Sequence, residues 1–106
     1  MTKPHRNTSM LLATVFAVGW SASVTAQEDL KARSWAASCA ACHGTDGRSE
    51  SEQPPLAGKS KDDLVKMLKE FKTDQRKTAT VMHQHAKGYT DEQLERIAEY
   101  FSKQKK

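Results

Sequence analysis

Two cysteines and a histidine lie within five consecutive residues of this 106-residue chain: Cys39, Cys42 and the adjacent His43. Thiols at this spacing could form a redox-active pair, bind a metal, or form thioether bonds with the two vinyl groups of a haem. The haem interpretation uses all three residues, because the histidine after the second cysteine offers an imidazole to the iron. The pattern therefore predicts one covalently attached haem c, bound by Cys39 and Cys42 and ligated by His43.

Three other interpretations of the cysteines explain less of the sequence. A thioredoxin-like pair requires a βαβ setting, and the chain shows no strand-like alternation. A zinc site that combines the cysteines with His83 and His85 would contain an H-x-H pair, whereas structural zinc sites separate their histidines by roughly three to five residues. A plain disulfide suits an exported protein but leaves His43 without a role.

The second axial ligand of such a haem has four candidates after the motif. Met67 falls in an apolar helical stripe, where methionine is usually part of the core. Met82 lies in a less regular segment, where the chain can pass over the other face of the haem. His83 and His85 flank that segment but cannot both coordinate, so we favour Met82, with His83 second. A thioether ligand stabilises Fe(II), and an iron with both axial positions filled exchanges electrons instead of binding substrate.

The segment after the motif, residues 44–59, has the Gly, Ser and Pro content of a loop, and Pro54 with its neighbouring proline excludes a helix. A plain surface loop explains this composition. A haem pocket explains it equally well: a carbonyl near Pro54 would accept a hydrogen bond from the second ring nitrogen of His43, and Leu56 would pack on the porphyrin.

A helix is predicted to carry the motif at its carboxyl end. It spans residues 28–41, with Leu30 and Ala37 at helical spacing and Glu28 and Asp29 in the first turn, where the helix dipole favours acids. Two glycines that follow the motif end this helix.

Further helices must position the remaining candidate ligands. Ser60 is the predicted N-cap of the second helix, residues 78–86 form a short helix or turn that ends at Gly88, and Thr90 with Gln93 fits a capping box for the last helix. The apolar stripes of the second and last helices are Leu64, Leu68 and Phe71, and Leu94, Ile97, Ala98 and Phe101.

The amino terminus has the features of a secretory signal peptide. Lys3 and Arg6 precede an apolar run at residues 10–20, and small residues follow up to Ala26. The apolar run is too short for a membrane anchor, which takes roughly 20 residues. We expect residues 1–26 to be cleaved and residues 27–106 to form one haem domain in the periplasm, with no membrane span in the mature chain.

Charge and size constrain the partners of this mature domain. Removing Lys3 and Arg6 from the 17 basic residues leaves 15 against 13 acidic ones, a net charge of about +2. So small a charge gives no reason to expect a nucleic acid or an anionic membrane as partner. A domain this small has a marginal core and usually needs a cofactor, metal or disulfide to stabilise it.

The sequence resembles the class I cytochromes c. The resemblance rests on the haem motif with Gly44, on Pro54 and Leu56 in the following loop, on Met82, and on the amphipathic last helix. More narrowly, the chain is similar to the haem subunit of flavocytochrome c sulfide dehydrogenase. The features that carry this similarity lie between Phe71 and Phe101: EFK at residues 70–72, ATVM at 79–82, AKGYT at 86–90 and Tyr100 with Phe101.

The resemblance implies an all-α fold of the small class I type, with the first and last helices crossing beside one haem. It also implies Met82 as the sixth ligand and an electron-transfer role, with a flavoprotein dehydrogenase subunit as donor and a downstream cytochrome or oxidase as acceptor. Some members of that family carry two haem domains, and this chain has a single motif. A free diffusible carrier, or a haem enzyme or gas sensor with a labile sixth ligand, therefore stay open as alternatives.

Overall fold

The structure, a computed structural model, describes residues 21–106 of the chain. Over these residues the chain forms helices and one short 3-10 turn, without any strand, which confirms the all-α prediction. The elements in chain order are α1 (Ser21–His43), the 3-10 turn (Thr45–Gly47), α2 (Lys61–Lys72), α3 (Met82–Lys87) and α4 (Asp91–Ser102). No helix in this part of the chain is both long and apolar enough to cross a membrane.

Helix α1 is longer at both ends than the predicted helix over residues 28–41, so positions 28 and 29 lie inside it and not in its first turn. Its buried face also differs from the prediction. Leu30 is 65% exposed and Ala37 is exposed, whereas Ala32 and Ala36 are buried. Small side chains on that face let α1 lie close to α4, so the buried positions are not those of the predicted spacing of Leu30 and Ala37.

The other helices begin and end close to their predicted positions. Ser60 caps α2 by accepting a hydrogen bond from the Asp63 amide. At α4 the predicted capping box is complete: the Gln93 amide donates to the Thr90 hydroxyl at 3.2 Å, and the Thr90 amide donates to the Gln93 side chain at 2.9 Å. Both caps bind backbone groups that a helix start leaves unpaired.

The core lies where α4 packs against α1 and α2. The predicted stripe of α4 is fully buried, with Phe101 only 1% exposed. The residues at the centre of the core are Ala36, Leu64, Ile97, Ala98 and Phe101. Few large apolar side chains contribute to this centre, in keeping with a domain that depends on a bound group.

Backbone hydrogen bonds join the two ends of the predicted loop, residues 44–59, and connect the loop to the end of α4. The Gly47 carbonyl accepts hydrogen bonds from the amides of Leu56 and Ala57, at 2.8 and 3.1 Å, and the Gly58 amide donates to the Phe101 carbonyl at 2.9 Å. Gly47 has a φ of 76°, and a Cβ there would lie 2.8 Å from the Phe101 ring. The loop therefore has one defined path, which places Pro54 beside the end of α1.

The predicted signal peptide lies largely outside the described residues. Residues 1–20 are not described, and the backbone of residues 21–26 continues helix α1. Cleavage after Ala26 and the division into a leader and a haem domain stay predictions.

Candidate functional site

His43 is the last residue of α1 and is buried, with 7% of its surface exposed. Its Nδ1 lies 2.7 Å from the carbonyl oxygen of Pro54. A carbonyl can only accept a hydrogen bond, so Nδ1 carries the proton and Nε2 has a lone pair available to a metal. Of the two interpretations of the loop, this contact matches the one in which a carbonyl near Pro54 orients His43.

A cavity opens beside His43 and contains about 1040 Å³ of empty space, counting the part that is open to solvent. Its walls come from α1, the loop and all three later helices, and most of the lining side chains are apolar. The predicted site residues that line it are Cys39, Cys42, His43, Pro54, Leu56 and Met82.

Two methionines line this cavity. Met67 reaches it from α2, and Met82 reaches it from the start of α3. The two side chains therefore approach the same space from different helices. Met67 packs against the core, as its place in the apolar stripe predicted, and the same face of α2 also lines the cavity at Leu68 and Phe71.

The two histidines after Met82 separate on α3. His85 lines the cavity, whereas His83 is not among its lining residues and instead lies near the Asp74 carboxylate. We ranked His83 above His85 as the competing ligand, but of the two it is His85 that the structure places at the cavity. Because α3 is helical, the residues one and three positions after Met82 lie on different faces of the helix. The irregular composition of the segment did not reveal this difference.

The cysteines themselves favour thioether attachment over the alternatives. Both thiols are free in the structure, and Cys42 is exposed. Burial raises the pKa of the Cys39 thiol, although hydrogen bonding to Ser38 and the Cys39 amide opposes this effect. A redox-active cysteine has a lowered pKa, so the Cys39 environment does not suit a thioredoxin-like pair.

A zinc site is not supported either. Across residues 21–106, no three His, Cys, Asp or Glu side chains form a group able to hold a metal ion. By contrast, two cysteines, two methionines and the His43 imidazole with an available Nε2 border one largely apolar cavity. This donor set fits a haem that is attached through Cys39 and Cys42, with His43 as one axial ligand.

A hydrogen-bonded pair of hydroxyls at the cavity wall was not foreseen. The Tyr89 hydroxyl lies 2.7 Å from the Ser38 hydroxyl and 3.3 Å from the Trp35 carbonyl, which also accepts from Ser38 at 3.0 Å. Ser38 lines the cavity next to Cys39 and could have been suspected from that position alone. Nothing in the sequence indicated that Tyr89 meets it, since the two are 51 positions apart.

Comparison with known proteins identifies the family of this arrangement. A sequence model of the family described as cytochrome c matches residues 31–105, which cover α1 from Lys31 onward, the loop and all later helices. The match includes every predicted site residue.

Three curated relatives are similar over much of this range. The cytochrome subunit of sulfide dehydrogenase from Chlorobaculum tepidum is 55% identical over 64 residues, which are 60% of this chain and 57% of that protein. Cytochrome c-554(548) from Halomonas halodenitrificans is 41% identical over 69 residues, 62% of this chain and 83% of the relative. Cytochrome c4 from Pseudomonas aeruginosa is 39% identical over 71 residues, 66% of this chain and 35% of the relative. The aligned segment thus spans little more than half of the first relative.

Proposed function

Because the chain belongs to the cytochrome c family, we propose that it is an exported monohaem electron-transfer protein that acts as the haem subunit of a flavoprotein sulfide dehydrogenase. Family membership implies a covalently bound haem c, and Cys39, Cys42 and His43 form its attachment motif. The haem supplies a one-electron Fe(III)/Fe(II) couple when bound. The protein residues determine which side chains would ligate the iron and which partner proteins could approach the haem.

The observation that carries the proposal is the contact between His43 and Pro54. It fixes the imidazole tautomer and ring orientation, so that Nε2 serves as the proximal ligand. Met82, which lines the same cavity, is the proposed sixth ligand. Ligation by histidine and methionine raises the reduction potential compared with two histidines, and a closed sixth position suits electron transfer over substrate binding.

Electrons would enter and leave where the cavity reaches the surface. Cys42 is exposed and Val81, an apolar residue at the cavity, is 53% exposed. The proposed donor is a flavin-containing subunit that oxidises sulfide, and the proposed acceptor is a cytochrome or oxidase in the periplasm.

The assignment to a dehydrogenase subunit rests on the similarity to the Chlorobaculum tepidum protein, whose name states that role. A free diffusible carrier is the second candidate. The match to cytochrome c-554(548) supports it, because this chain covers 83% of that protein and so resembles nearly the whole of a small cytochrome. A haem enzyme or gas sensor would need an open sixth position, which Met67, Met82 and His85 at the cavity make less suitable.

Purification of the native protein from its own cells separates the first two candidates. We expect the haem chain to elute with a flavin-containing chain in equal amounts, and sulfide to reduce the haem of this complex rapidly. The haem chain alone, mixed with the same sulfide, is the control and should be reduced far more slowly. A haem chain that elutes as a flavin-free monomer at all concentrations would contradict the subunit role and favour the carrier.

A further inference from the structure

The segment that carries Met82 packs against α2, and its hydrogen-bonded connection to α1 lies beyond its carboxyl end. Helix α3 begins at Met82, and Ala86 near its end is 1% exposed. The residues before it, 77–81, make no hydrogen bond to α1 or α4 within the described chain, and Val81 is 53% exposed. On the side of α1, the position of Met82 therefore depends on what holds the residues just after α3.

Tyr89, one residue beyond Gly88, makes the described hydrogen bonds between this segment and α1. Its hydroxyl contacts the Ser38 hydroxyl at 2.7 Å and the Trp35 carbonyl at 3.3 Å. Each hydroxyl has a single proton. When Ser38 donates to the Trp35 carbonyl, at 3.0 Å, the Tyr89 hydroxyl donates to the Ser38 oxygen, and both protons are used.

The acceptors of Tyr89 belong to the turn of α1 that carries the attachment site. Ser38 precedes Cys39 directly and lines the cavity with it. The ring of Tyr89 packs against the core, so the residue is fixed at both its apolar and its polar end. Tyr89 thus connects the end of α1 that would hold the haem to the short helix that presents Met82.

We propose that Tyr89 is a positioning residue that keeps Met82 on the haem iron, by anchoring α3 to Ser38 beside the attachment site. The inference rests on the proposed ligation by Met82. Helix α3 also makes an ion pair, between Lys87 and Asp74 at 2.7 Å. This pair is exposed and binds α3 to the turn after α2, not to α1.

The first step of the test identifies the ligand in the haem-loaded, full-length protein. We expect Met82→Ala to abolish the weak red absorption band that methionine ligation gives ferric haem, and Met67→Ala, from the same cavity, to retain it. Loss of the band in Met67→Ala alone would overturn the ligand assignment and with it the role of Tyr89.

The second step measures how often Met82 leaves the iron. Added imidazole binds ferric haem only when the sixth position is free, so its apparent affinity follows the population of the dissociated form. We expect Tyr89→Phe, which keeps the ring, to raise that affinity about twofold to tenfold, the factor that one neutral hydrogen bond supplies. Ser38→Ala should have a smaller effect, because the Tyr89 hydroxyl can then donate to the Trp35 carbonyl, and adding it to Tyr89→Phe should add little.

Tyr100→Phe is the matched control. Tyr100 donates a hydrogen bond to Asp46 across a similar sequence distance, but it joins α4 to the loop and does not touch the Met82 segment. Removing the Tyr100 hydroxyl should leave the imidazole affinity unchanged even if the protein becomes less stable. An unchanged affinity in Tyr89→Phe, or an equal rise in both tyrosine variants, would overturn the positioning role while leaving the Met82 assignment intact.

Discussion

The imidazole of His43 shows how single residues define this site. One ring nitrogen donates to the Pro54 carbonyl, and the other is left with the lone pair that a metal needs. The acceptor is a backbone atom, so any residue at position 54 could provide it if the loop kept its path. That path depends on Gly47, whose positive φ and carbonyl position the loop.

We expect Gly47→Ala to lower the free energy of unfolding by about 2–4 kcal/mol, because a Cβ in the left-handed region is strained and this one would contact the buried Phe101 ring at 2.8 Å. Guanidinium unfolding of the haem-loaded protein measures the change. Gly88→Ala is the control: Gly88 has a right-handed φ of −71°, so its replacement should stay within about 1 kcal/mol of the parent. Equal losses in the two variants would show that the backbone conformation of Gly47 is unimportant.

At the scale of elements, α2 and α4 run antiparallel. They are held together by apolar packing and by a row of ion pairs between them. The pairs are Lys61 with Glu99, Lys69 with Glu95, and Lys72 with Asp91. Hydrogen bonding to Lys72 lowers the pKa of the Asp91 carboxyl, and hydrogen bonds from Lys103 and Lys61 lower that of Glu99. These groups are exposed or half-buried at the surface, so each pair contributes modestly.

The lowered pKa values give the row a defined pH dependence. A carboxyl whose pKa is lower in the folded than in the unfolded state stabilises the fold fully above its unfolded-state pKa, which is about 4. This contribution is lost as the pH falls through the folded-state pKa. We expect the unfolding midpoint in guanidinium to fall below about pH 4, and Lys72→Met to flatten this dependence. Lys66→Met, at an exposed α2 position that is unpaired within residues 21–106, should leave it unchanged. If Lys72→Met leaves the pH dependence of the unfolding midpoint unchanged, the row of ion pairs is not its cause.

The whole molecule has little core of its own. Its centre contains two alanines and three larger side chains, and a wide apolar cavity adjoins it. A haem that fills this cavity would complete the core, which explains how so short a chain folds without disulfides. A haem bound there would therefore have a structural role as well as a redox role.

Removing both attachment points tests that role. We expect the mature chain with Cys39→Ala and Cys42→Ala, prepared without haem, to be largely unfolded, because its remaining core is too small to offset the conformational entropy of folding. Circular dichroism and thermal unfolding measure the outcome. The single variant Cys42→Ala, which can still form one thioether, is the comparison and should retain more helix. A cooperative, helical double variant without haem would contradict the expectation.

Some features of this protein are determined by the sequence alone, because their causes lie within a few residues. The haem motif combines its thiols and imidazole in five positions, and the caps at Ser60 and Thr90 use partners three residues away. The buried stripe of α4 follows from helical spacing. These predictions required no knowledge of how the chain returns on itself.

Other features were decided only by the tertiary structure, because they join positions far apart in the chain. The buried face of α1 is the alanine face, since its partner α4 determines which side is covered. Likewise His43 meets a carbonyl 11 positions away, and Tyr89 meets Ser38 at 51 positions. Local pattern supplies the groups that could bind a haem, whereas the path of the chain decides which of them share one cavity.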